Sequence, residues 1–336
     1  MRFSRMIQTI DTHTEGEPTR TVIGGIGPIP GSSMGEKMLH LKHNMDSLRK
    51  TLMFEPRGHG VMSGAILTEP CDSRADIGVV YIETGGYLPM CGHDTIGCCT
   101  ALVEAGIVEV SEGITEITLD TPAGLVSAKV SVTDGVAKSV SFSNVPAFVY
   151  AEDAQVSVPE VGVVTLDIAF GGNFFGIVDA ARFGLEITPR EAPEIIRAGN
   201  ALRKAVAEQM EVRHPTKPFI NEMTHVLFYS EPTHPDAHAK NAVVFPPGQI
   251  DRSPCGTGTS ARLAVLYKKR LIERGQQFVH ESIIGSLFRA QVLEEIRIEA
   301  IPAISSSVSG RAWVTGLHTF VIDPEDPLKE GFLLGA

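Results

Sequence analysis

Long apolar runs, an excess of basic residues and paired cysteines are all missing from this sequence. No segment approaches the roughly 18 consecutive apolar residues of a membrane span, and the first residues, MRFSRMIQTIDTHT, hold no stretch typical of a secretory signal. There are 29 Lys and Arg against 40 Asp and Glu, a net charge of −11. This charge argues against nucleic acid or anionic membrane as a partner, because both require basic surface. We expect a cytoplasmic protein.

Cysteine is scarce, with five residues at Cys71, Cys91, Cys98, Cys99 and Cys255. The number is odd and the positions are scattered, so a disulfide framework is not expected. The sequence also has no CxxC pair, no HExxH, no Walker motif and no GxGxxG opening a helix. We therefore expect free thiols, and no metal, nucleotide or flavin cofactor.

What the sequence does contain is the same order of elements twice. Each half has two strand-like runs around a polar or glycine turn, then a helix, then further strands. The first helix is predicted to begin at Ser33 with a capping box to Glu36, and the second at Thr188 with a capping box to Glu191. Each half then contains a cysteine at the start of an apolar helix, in CGHDTIGCCTA and in CGTGTSARLAV. The two cysteines are about half the chain apart.

We interpret this repeat as a duplicated α/β unit, and the length of 336 residues favours about two domains. The first domain is predicted over 1–155, completed by the C-terminal segment 312–336, and the second over 156–311. The stretch IPAISSSVSG is predicted to be a loop before a last strand, RAWVTGLHTFVI.

Two cysteines at two helix starts suggest a specific chemistry. A helix N-terminus presents unpaired N–H groups and partial positive charge, which favour a thiolate and bind a carboxylate. If the halves face each other across a cleft, one thiolate can remove a proton from a carbon while the opposite thiol delivers one. The product is the mirror configuration, so the pattern predicts a racemase or epimerase with Cys91 and Cys255 as its acid/base pair.

Other interpretations stay open for several residues. Cys71, Cys98 and Cys99 are expected to be small structural hydrophobes, and His93 is either functional or an ordinary helix-start histidine. Asp251 can simply cap a turn. For the whole chain, an imino-acid binding protein without turnover and, more weakly, a thiol oxidoreductase are the alternatives.

The motifs MCGHDTIG, DRSPCGTGTSA, DTHTEGEPTR, EPRGHG, DIAFGGNFF and ESIIGSLF resemble those of the proline racemase family, over essentially the whole chain. This family includes proline racemases, 4-hydroxyproline 2-epimerases and trans-3-hydroxyproline dehydratases. The resemblance implies the diaminopimelate-epimerase-like fold, two pseudo-symmetric α/β (α+β) domains around a central cleft. It also implies catalysis without a cofactor and commonly a homodimer.

The resemblance also implies roles for individual residues. Cys91 and Cys255 correspond to the two acid/base thiols, and Asp251 to a contact of the ring nitrogen. The substrate carboxylate is expected at the two helix starts, held by Gly92, His93, Gly256 and Thr257. A dehydratase is disfavoured, because that group typically has threonine at the position of Cys255.

Two positions bear on the substrate. Proline racemases tend to have phenylalanine at the position of Ser63 and cysteine at that of His225, whereas epimerases tend to have a small or polar residue and histidine. Both residues can hydrogen-bond a hydroxylated ring, whereas Phe245 is more typical of racemases. We predict epimerisation of trans-4-hydroxy-L-proline to cis-4-hydroxy-D-proline, with proline racemisation as the alternative. Asp94, at a position that varies in the family, is expected to point away from the substrate carboxylate.

Overall fold

A computed structural model describes residues 3–334. It divides into two compact units. Unit 1 comprises the described residues up to Phe142 and those from Arg311 onward, and unit 2 comprises Ser143–Gly310.

Strands and helices alternate along the chain. The strands are β1 (Arg5–Thr14), β2 (Glu17–Gly24), β3 (Ser63–Thr68), β4 (Ile77–Glu83), β5 (Gly86–Leu88), β6 (Gly113–Thr121), β7 (Gly124–Thr133), β8 (Val136–Ser143), β9 (Phe148–Val158), β10 (Gly162–Phe170), β11 (Phe174–Asp179), β12 (Met223–Ser230), β13 (Ala239–Phe245), β14 (Gln249–Ile250), β15 (Gln277–Glu281), β16 (Leu287–Ile298), β17 (Ile301–Gly310) and β18 (Ala312–Ile322). The helices are α1 (Met34–Asn44), α2 (Asp46–Met53), α3 (Gly92–Glu104), α4 (Ala192–Gln209) and α5 (Gly256–Lys268), and short 3-10 helices cover Ala180–Phe183 and Pro189–Glu191.

The strands of unit 1 pair in the order β18–β1–β2–β3–β4–β6–β7. The β2–β3 and β4–β6 pairs are parallel, and the other pairs are antiparallel. The short strand β5 also pairs with β4. Helices α1 and α2 connect the first parallel pair, and α3 lies in the connection of the second, as parallel pairing requires crossover segments.

Unit 2 repeats this arrangement. Its order is β9–β10–β11–β12–β13–β15–β16–β17, with parallel pairing only at β11–β12 and β13–β15 among these strands. The short β14 pairs with β13 as β5 pairs with β4, and α4 and α5 occupy the two parallel connections. The predicted duplication of an α/β unit is therefore confirmed, with α3 and α5 at equivalent places.

Three details of the sequence prediction need correction. The first helix, predicted to begin at Ser33, is followed at once by a second helix, α2, because the helix breaks at Met45, where φ is −138° and ψ is 23°. Thr188 precedes a 3-10 helix and makes no side-chain cap to it. The stretch 301–310 is a strand, β17, whose residues Ile301–Ser309 pair with β16. From Ile304 onward its buried and partly exposed residues alternate, as in a half-buried strand.

Helix α3 is packed on nearly all its sides. Every residue from Gly92 to Val103 is buried, as expected for a helix that is apolar all round. Gly97 permits this packing, since a Cβ there would lie 2.6 Å from Thr12 Oγ1 and 2.8 Å from Thr19 Oγ1. Within residues 3–334, no helix combines the length and apolarity needed to span a membrane.

Candidate active site

Cys91 lies immediately before α3 and is its N-cap residue. Its carbonyl oxygen accepts hydrogen bonds from Thr95, from the backbone N–H at 3.1 Å and from the hydroxyl at 2.7 Å. The Thr95 hydroxyl also lies 2.7 Å from the hydroxyl of the buried Tyr81 in β4. The threonine four residues after the cysteine, present in both cysteine motifs, thus fixes the backbone of the cysteine. The sequence reasoning did not identify this role.

The thiol of Cys91 is buried, with 5% of the residue exposed. Burial raises its pKa, and the charge of Asp94 raises it further. The charge and hydrogen bond of His93 and the backbone N–H of Asp94 act in the opposite direction but do not offset these effects. Burial and Asp94 thus oppose the stabilisation of a thiolate that the helix start was expected to provide.

His93 lies between Cys91 and Asp94. Its Nδ1 is 3.3 Å from Cys91 Sγ, and its Nε2 is 3.2 Å from Asp94 Oδ1. The second oxygen of Asp94 accepts a 2.7 Å hydrogen bond from the hydroxyl of Ser63 in β3. The four side chains form a buried row inside unit 1, in which the link between His93 and Asp94 is a 3.2 Å charge contact and the other two links are hydrogen bonds.

The same three groups, Cys91, His93 and Asp94, place one potential metal-ligand atom each within 4.8 Å of one another. The geometry favours a row of pairwise contacts instead, since the imidazole lies with Nδ1 3.3 Å from the thiol and Nε2 3.2 Å from the carboxylate. A metal ion would instead need one ring nitrogen, the sulfur and a carboxylate oxygen all directed at the same point.

The carboxylate of Asp94 is completely buried and is directed at Ser63 and His93. Both of these residues are predicted substrate contacts. That Asp94 points away from a bound substrate carboxylate stays a prediction.

Cys255 is the N-cap residue of α5 and has a strained backbone, with φ 60° and ψ 104°. A non-glycine residue with positive φ is uncommon and persists only where its surroundings hold it. The preceding carbonyl, that of Pro254, accepts hydrogen bonds from Asn241 Nδ2 at 3.0 Å and from Thr259 Oγ1 at 3.2 Å. The carbonyl of Cys255 itself accepts the N–H of Thr259 at 2.8 Å.

The loop before Cys255 is closed by a second set of short bonds. Asp251 Oδ1 accepts the N–H of Ser253 at 2.8 Å, and Ser253 Oγ accepts the N–H of Cys255 at 3.1 Å. Thr257 Oγ1 lies 3.8 Å from Cys255 Sγ. Asp251 therefore does form the turn that one interpretation expected, and its proposed contact with a ring nitrogen stays a prediction.

A series of aromatic contacts begins in the buried cluster that holds Cys255 in unit 2. Cys255 packs in a buried cluster with Phe175, whose ring lies 5.0 Å from that of His225. On its other side His225 stacks on Phe245, with ring centroids 6.4 Å apart. His225 Nδ1 lies 2.7 Å from the hydroxyl of Thr224. The structure thus brings His225, Phe245 and Cys255 into one connected group.

The remaining cysteines differ from one another. Cys98 and Cys99 are completely buried, and burial raises the pKa of Cys99 to about 12, in keeping with structural residues. Cys71 is exposed, so its interpretation as a buried hydrophobe is wrong. No described cysteine forms a disulfide.

A groove of about 790 Å³ lies in unit 2 at the C-terminal end of α5, lined by Tyr267, Lys268, Arg270 and Arg297 among others. Cys255 is at the opposite end of this 13-residue helix, about 20 Å away at 1.5 Å per residue. The groove is therefore separate from the thiol.

Comparisons with known proteins agree with the motifs. The family model for proline racemase matches residues 9–333. A proline racemase from Clostridioides difficile is 49% identical over 99% of this chain and 100% of its own length. A 4-hydroxyproline 2-epimerase from Streptosporangium roseum is 48% identical over the same shares. The crystal structure of a hydroxyproline epimerase from Agrobacterium vitis, with bound trans-4-hydroxy-L-proline, superposes with a TM-score of 0.95 and 36% identity, over 99% of this chain and 96% of that one.

Proposed function

The chain belongs to the proline racemase family, and we propose that it inverts the α-carbon of a proline-type imino acid without a cofactor, using Cys91 and Cys255 as the two acid/base groups. One observation carries the proposal. Each unit places a single buried thiol as the N-cap of the helix in its second parallel connection, so the duplication supplies two equivalent groups for a reaction whose two directions exchange their roles.

The reaction proceeds by two proton transfers. A thiolate removes the α-proton, and the electron pair of the broken C–H bond stays on the α-carbon, next to the carboxylate. The opposite thiol then delivers its proton to the other face, and the electron pair of its S–H bond stays on sulfur. Backbone N–H groups of the first helical turns, at Gly92, His93, Gly256 and Thr257, hold the carboxylate, as helix N-termini do for anions.

The surroundings of Cys91 favour its protonated form, since burial and Asp94 raise its pKa. We therefore propose that Cys91 is the thiol at rest. The mechanism then requires Cys255 to be the thiolate that removes the first proton. In the reverse direction, Cys91 is the thiolate that removes the proton and Cys255 is the thiol that delivers one.

We propose trans-4-hydroxy-L-proline as the preferred substrate. His225 lies between two aromatic rings beside the Cys255 cluster, where an imidazole can hydrogen-bond a ring hydroxyl, and the A. vitis relative has this ligand bound. Proline racemisation is the second candidate, and the C. difficile relative at 49% identity and Phe245 beside His225 favour it. An imino-acid binding protein without turnover is the candidate outside enzymes.

The test is proton NMR in D₂O with L-proline and, separately, trans-4-hydroxy-L-proline. Loss of the α-proton signal with inversion, faster on hydroxyproline, supports the preferred substrate, and faster exchange on proline supports the racemase. Cys91→Ala and Cys255→Ala should each lower the rate by at least about 10³-fold, within the range of one acid/base group. Cys71→Ala is the matched control and should change nothing. Binding without exchange by the wild-type protein would leave only the binding function.

We also propose that the protein is a cytoplasmic homodimer, since two catalytic thiols need a reducing compartment. Strand β18 pairs with β1 on one side and exposes Trp313, Leu317 and Val321. Exposed apolar side chains on an edge strand are typical of interaction surfaces. Sedimentation equilibrium should give twice the mass of 36.1 kDa, and Leu317→Lys should give the single mass.

A further inference from the structure

The row of Cys91, His93 and Asp94 differs between its two ends. At one end the imidazole Nδ1 faces a thiol at 3.3 Å, and at the other Nε2 faces a carboxylate oxygen at 3.2 Å. Each of the three residues is at most 7% exposed. Both nitrogens of one ring are therefore committed to partners that are shielded from water.

Asp94 is well placed to remain an anion. It is the third residue of α3, where the helix N-terminus favours negative charge, and Ser63 donates a hydrogen bond to Oδ2 at 2.7 Å. Although burial acts to raise its pKa, the charge and hydrogen bond of His93 and the hydroxyls of Ser63 and Thr19 together lower it.

A buried carboxylate is strongly unfavourable unless a positive group pairs with it. The groups that face Asp94 are the imidazole of His93, the hydroxyl of Ser63 from β3 and the hydroxyl of Thr19 from β2, and Cys98 lies near it on α3. Of these, His93 is the group that can carry a positive charge. Burial acts to lower the pKa of His93, whereas the charge of Cys91 when it is a thiolate and the charge of Asp94 act to raise it, and together they outweigh burial.

We propose that Asp94 is a positioning residue, which holds His93 as an imidazolium with its Nδ1–H directed at the Cys91 sulfur. The catalytic consequence rests on the proposed function. When Cys91 delivers its proton to the α-carbon, the S–H electron pair stays on sulfur and the new thiolate finds an N–H donor and a positive charge beside it. The imidazolium keeps both of its protons throughout, so the row stabilises the thiolate without itself gaining or losing a proton.

The two charges of the row act on the thiolate in opposite directions. Asp94 repels it, while the imidazolium attracts it from 3.3 Å. Since Asp94 is what keeps the imidazole charged, removing it also removes the attraction from the nearer group. We therefore expect the loss of Asp94 to disfavour the Cys91 thiolate.

The variant that tests this is Asp94→Asn, which keeps the shape of the side chain and an oxygen for Nε2–H but removes the charge. The first measurement is the ¹⁵N shift of the His93 ring at pH 8 in histidine-labelled protein, assigned with His93→Gln. Wild type should show two protonated nitrogens, and Asp94→Asn one. The second measurement is the rate at which iodoacetamide labels each cysteine, read from the separate peptides.

Labelling of Cys91 should slow by about tenfold in Asp94→Asn, the effect of one pKa unit, while labelling of Cys255 should not change. Asp120→Asn is the matched control, because it removes another buried carboxylate of unit 1, one that accepts hydrogen bonds from the backbone N–H groups of Cys71 and Asp72. It should alter neither the ring shifts nor the labelling of Cys91.

Three results would overturn the proposal: an unchanged His93 spectrum, equal slowing at both cysteines, or faster labelling of Cys91. Equal slowing would mean that Asp94 only maintains the fold, and faster labelling that repulsion of the thiolate is its main effect. Neither measurement requires turnover. A wild-type protein without α-proton exchange would therefore defeat the proposed function while leaving this test of Asp94 intact.

Discussion

The hydroxyl of Thr259 lies 2.8 Å from Nδ1 of His280, and both side chains are completely buried. Thr259 is in the first turns of α5 and His280 is in β15. The equivalent threonine of unit 1, Thr95, meets Tyr81 in the same way. In both units, a strand side chain thus fixes the threonine that holds the loop of the proposed acid/base cysteine.

We predict that Thr259→Val lowers both stability and turnover. The substitution keeps the volume but leaves His280 Nδ1 and the carbonyl of Pro254 without this hydroxyl, at a cost of about 1–3 kcal/mol for a buried polar group. It also releases one of the bonds that hold Cys255 at φ 60°. Urea unfolding and kcat, measured on the same preparation, check the two effects.

Thr259→Ser is the control for this substitution, since it retains the hydroxyl and should keep kcat within about threefold of wild type. A Thr259→Val protein with reduced stability but unchanged kcat would show that the hydroxyl supports the fold and not the position of the thiol.

A second prediction concerns acid. Burial and the charge of Arg262 lower the pKa of His280 to about 3, from 6.5 in the unfolded chain. The unfolded state therefore binds the additional proton between these values, so the contribution of His280 is complete above pH 6.5 and is lost progressively as the pH falls toward 3. The free energy of unfolding should fall between pH 6.5 and 4.5, and His280→Gln should flatten that part of the curve.

Glu281 acts in a lower range. Although burial acts to raise its pKa, hydrogen bonds from Thr233, His234 and Lys240 lower it to about 2, from 4.5. Its contribution is present above pH 4.5 and is lost toward pH 2.

His214→Gln is the control for His280→Gln between pH 6.5 and 4.5, because burial and Lys217 lower the pKa of His214 to about 4. If it flattened the curve more than His280→Gln, His280 would not be the main titrating group there.

The sequence predicts the turns and helix boundaries of this molecule well, because they follow from local patterns. The Glu15–Gly16 turn between β1 and β2 has positive φ at both residues, which the polar turn of DTHTEGEPTR indicates. The cysteine motifs predict two helices that begin just after Cys91 and Cys255, and both do. Gly106 follows the end of α3 with φ 63°, as a helix stop requires.

What the sequence could not predict depends on contacts between distant residues. The serines of β17 favour a loop locally, but pairing with β16 along nine residues overrides that preference. The low exposure of Cys91, which raises the pKa of its thiol, also results from tertiary packing and not from the local motif. The hydrogen bond between Ser63 and Asp94 joins residues 31 positions apart, so no local sequence pattern predicts it.

A third prediction concerns the close packing of α3. Gly97→Ala places a methyl group within 2.8 Å of the hydroxyls of Thr12 and Thr19, so the helix must move away from β1 and β2. We expect a loss of about 1–3 kcal/mol, typical of overpacking, and a lower kcat because Cys91 moves with the helix. Thermal unfolding and kcat measure these effects.

Gly27→Ala is the control for Gly97→Ala, since a Cβ at Gly27 meets no atom within 4 Å. It should leave both quantities unchanged. Full activity of Gly97→Ala despite lower stability would indicate that Cys91 tolerates a shift of its helix.

The last prediction concerns the substrate, and it distinguishes the two residues from which hydroxyproline is inferred. His225 lies between Phe175 and Phe245, so His225→Leu should lower kcat/KM for trans-4-hydroxy-L-proline by about 10–100-fold, the size of one lost polar contact, with little change for L-proline. Ser63 donates to Asp94, so Ser63→Ala should affect both substrates alike, through the row that ends at Cys91. Steady-state kinetics on both substrates for each variant measure this. If Ser63→Ala alone changed the ratio of the two substrates, Ser63 would be the residue that contacts the ring hydroxyl, and its bond to Asp94 would not be its main role.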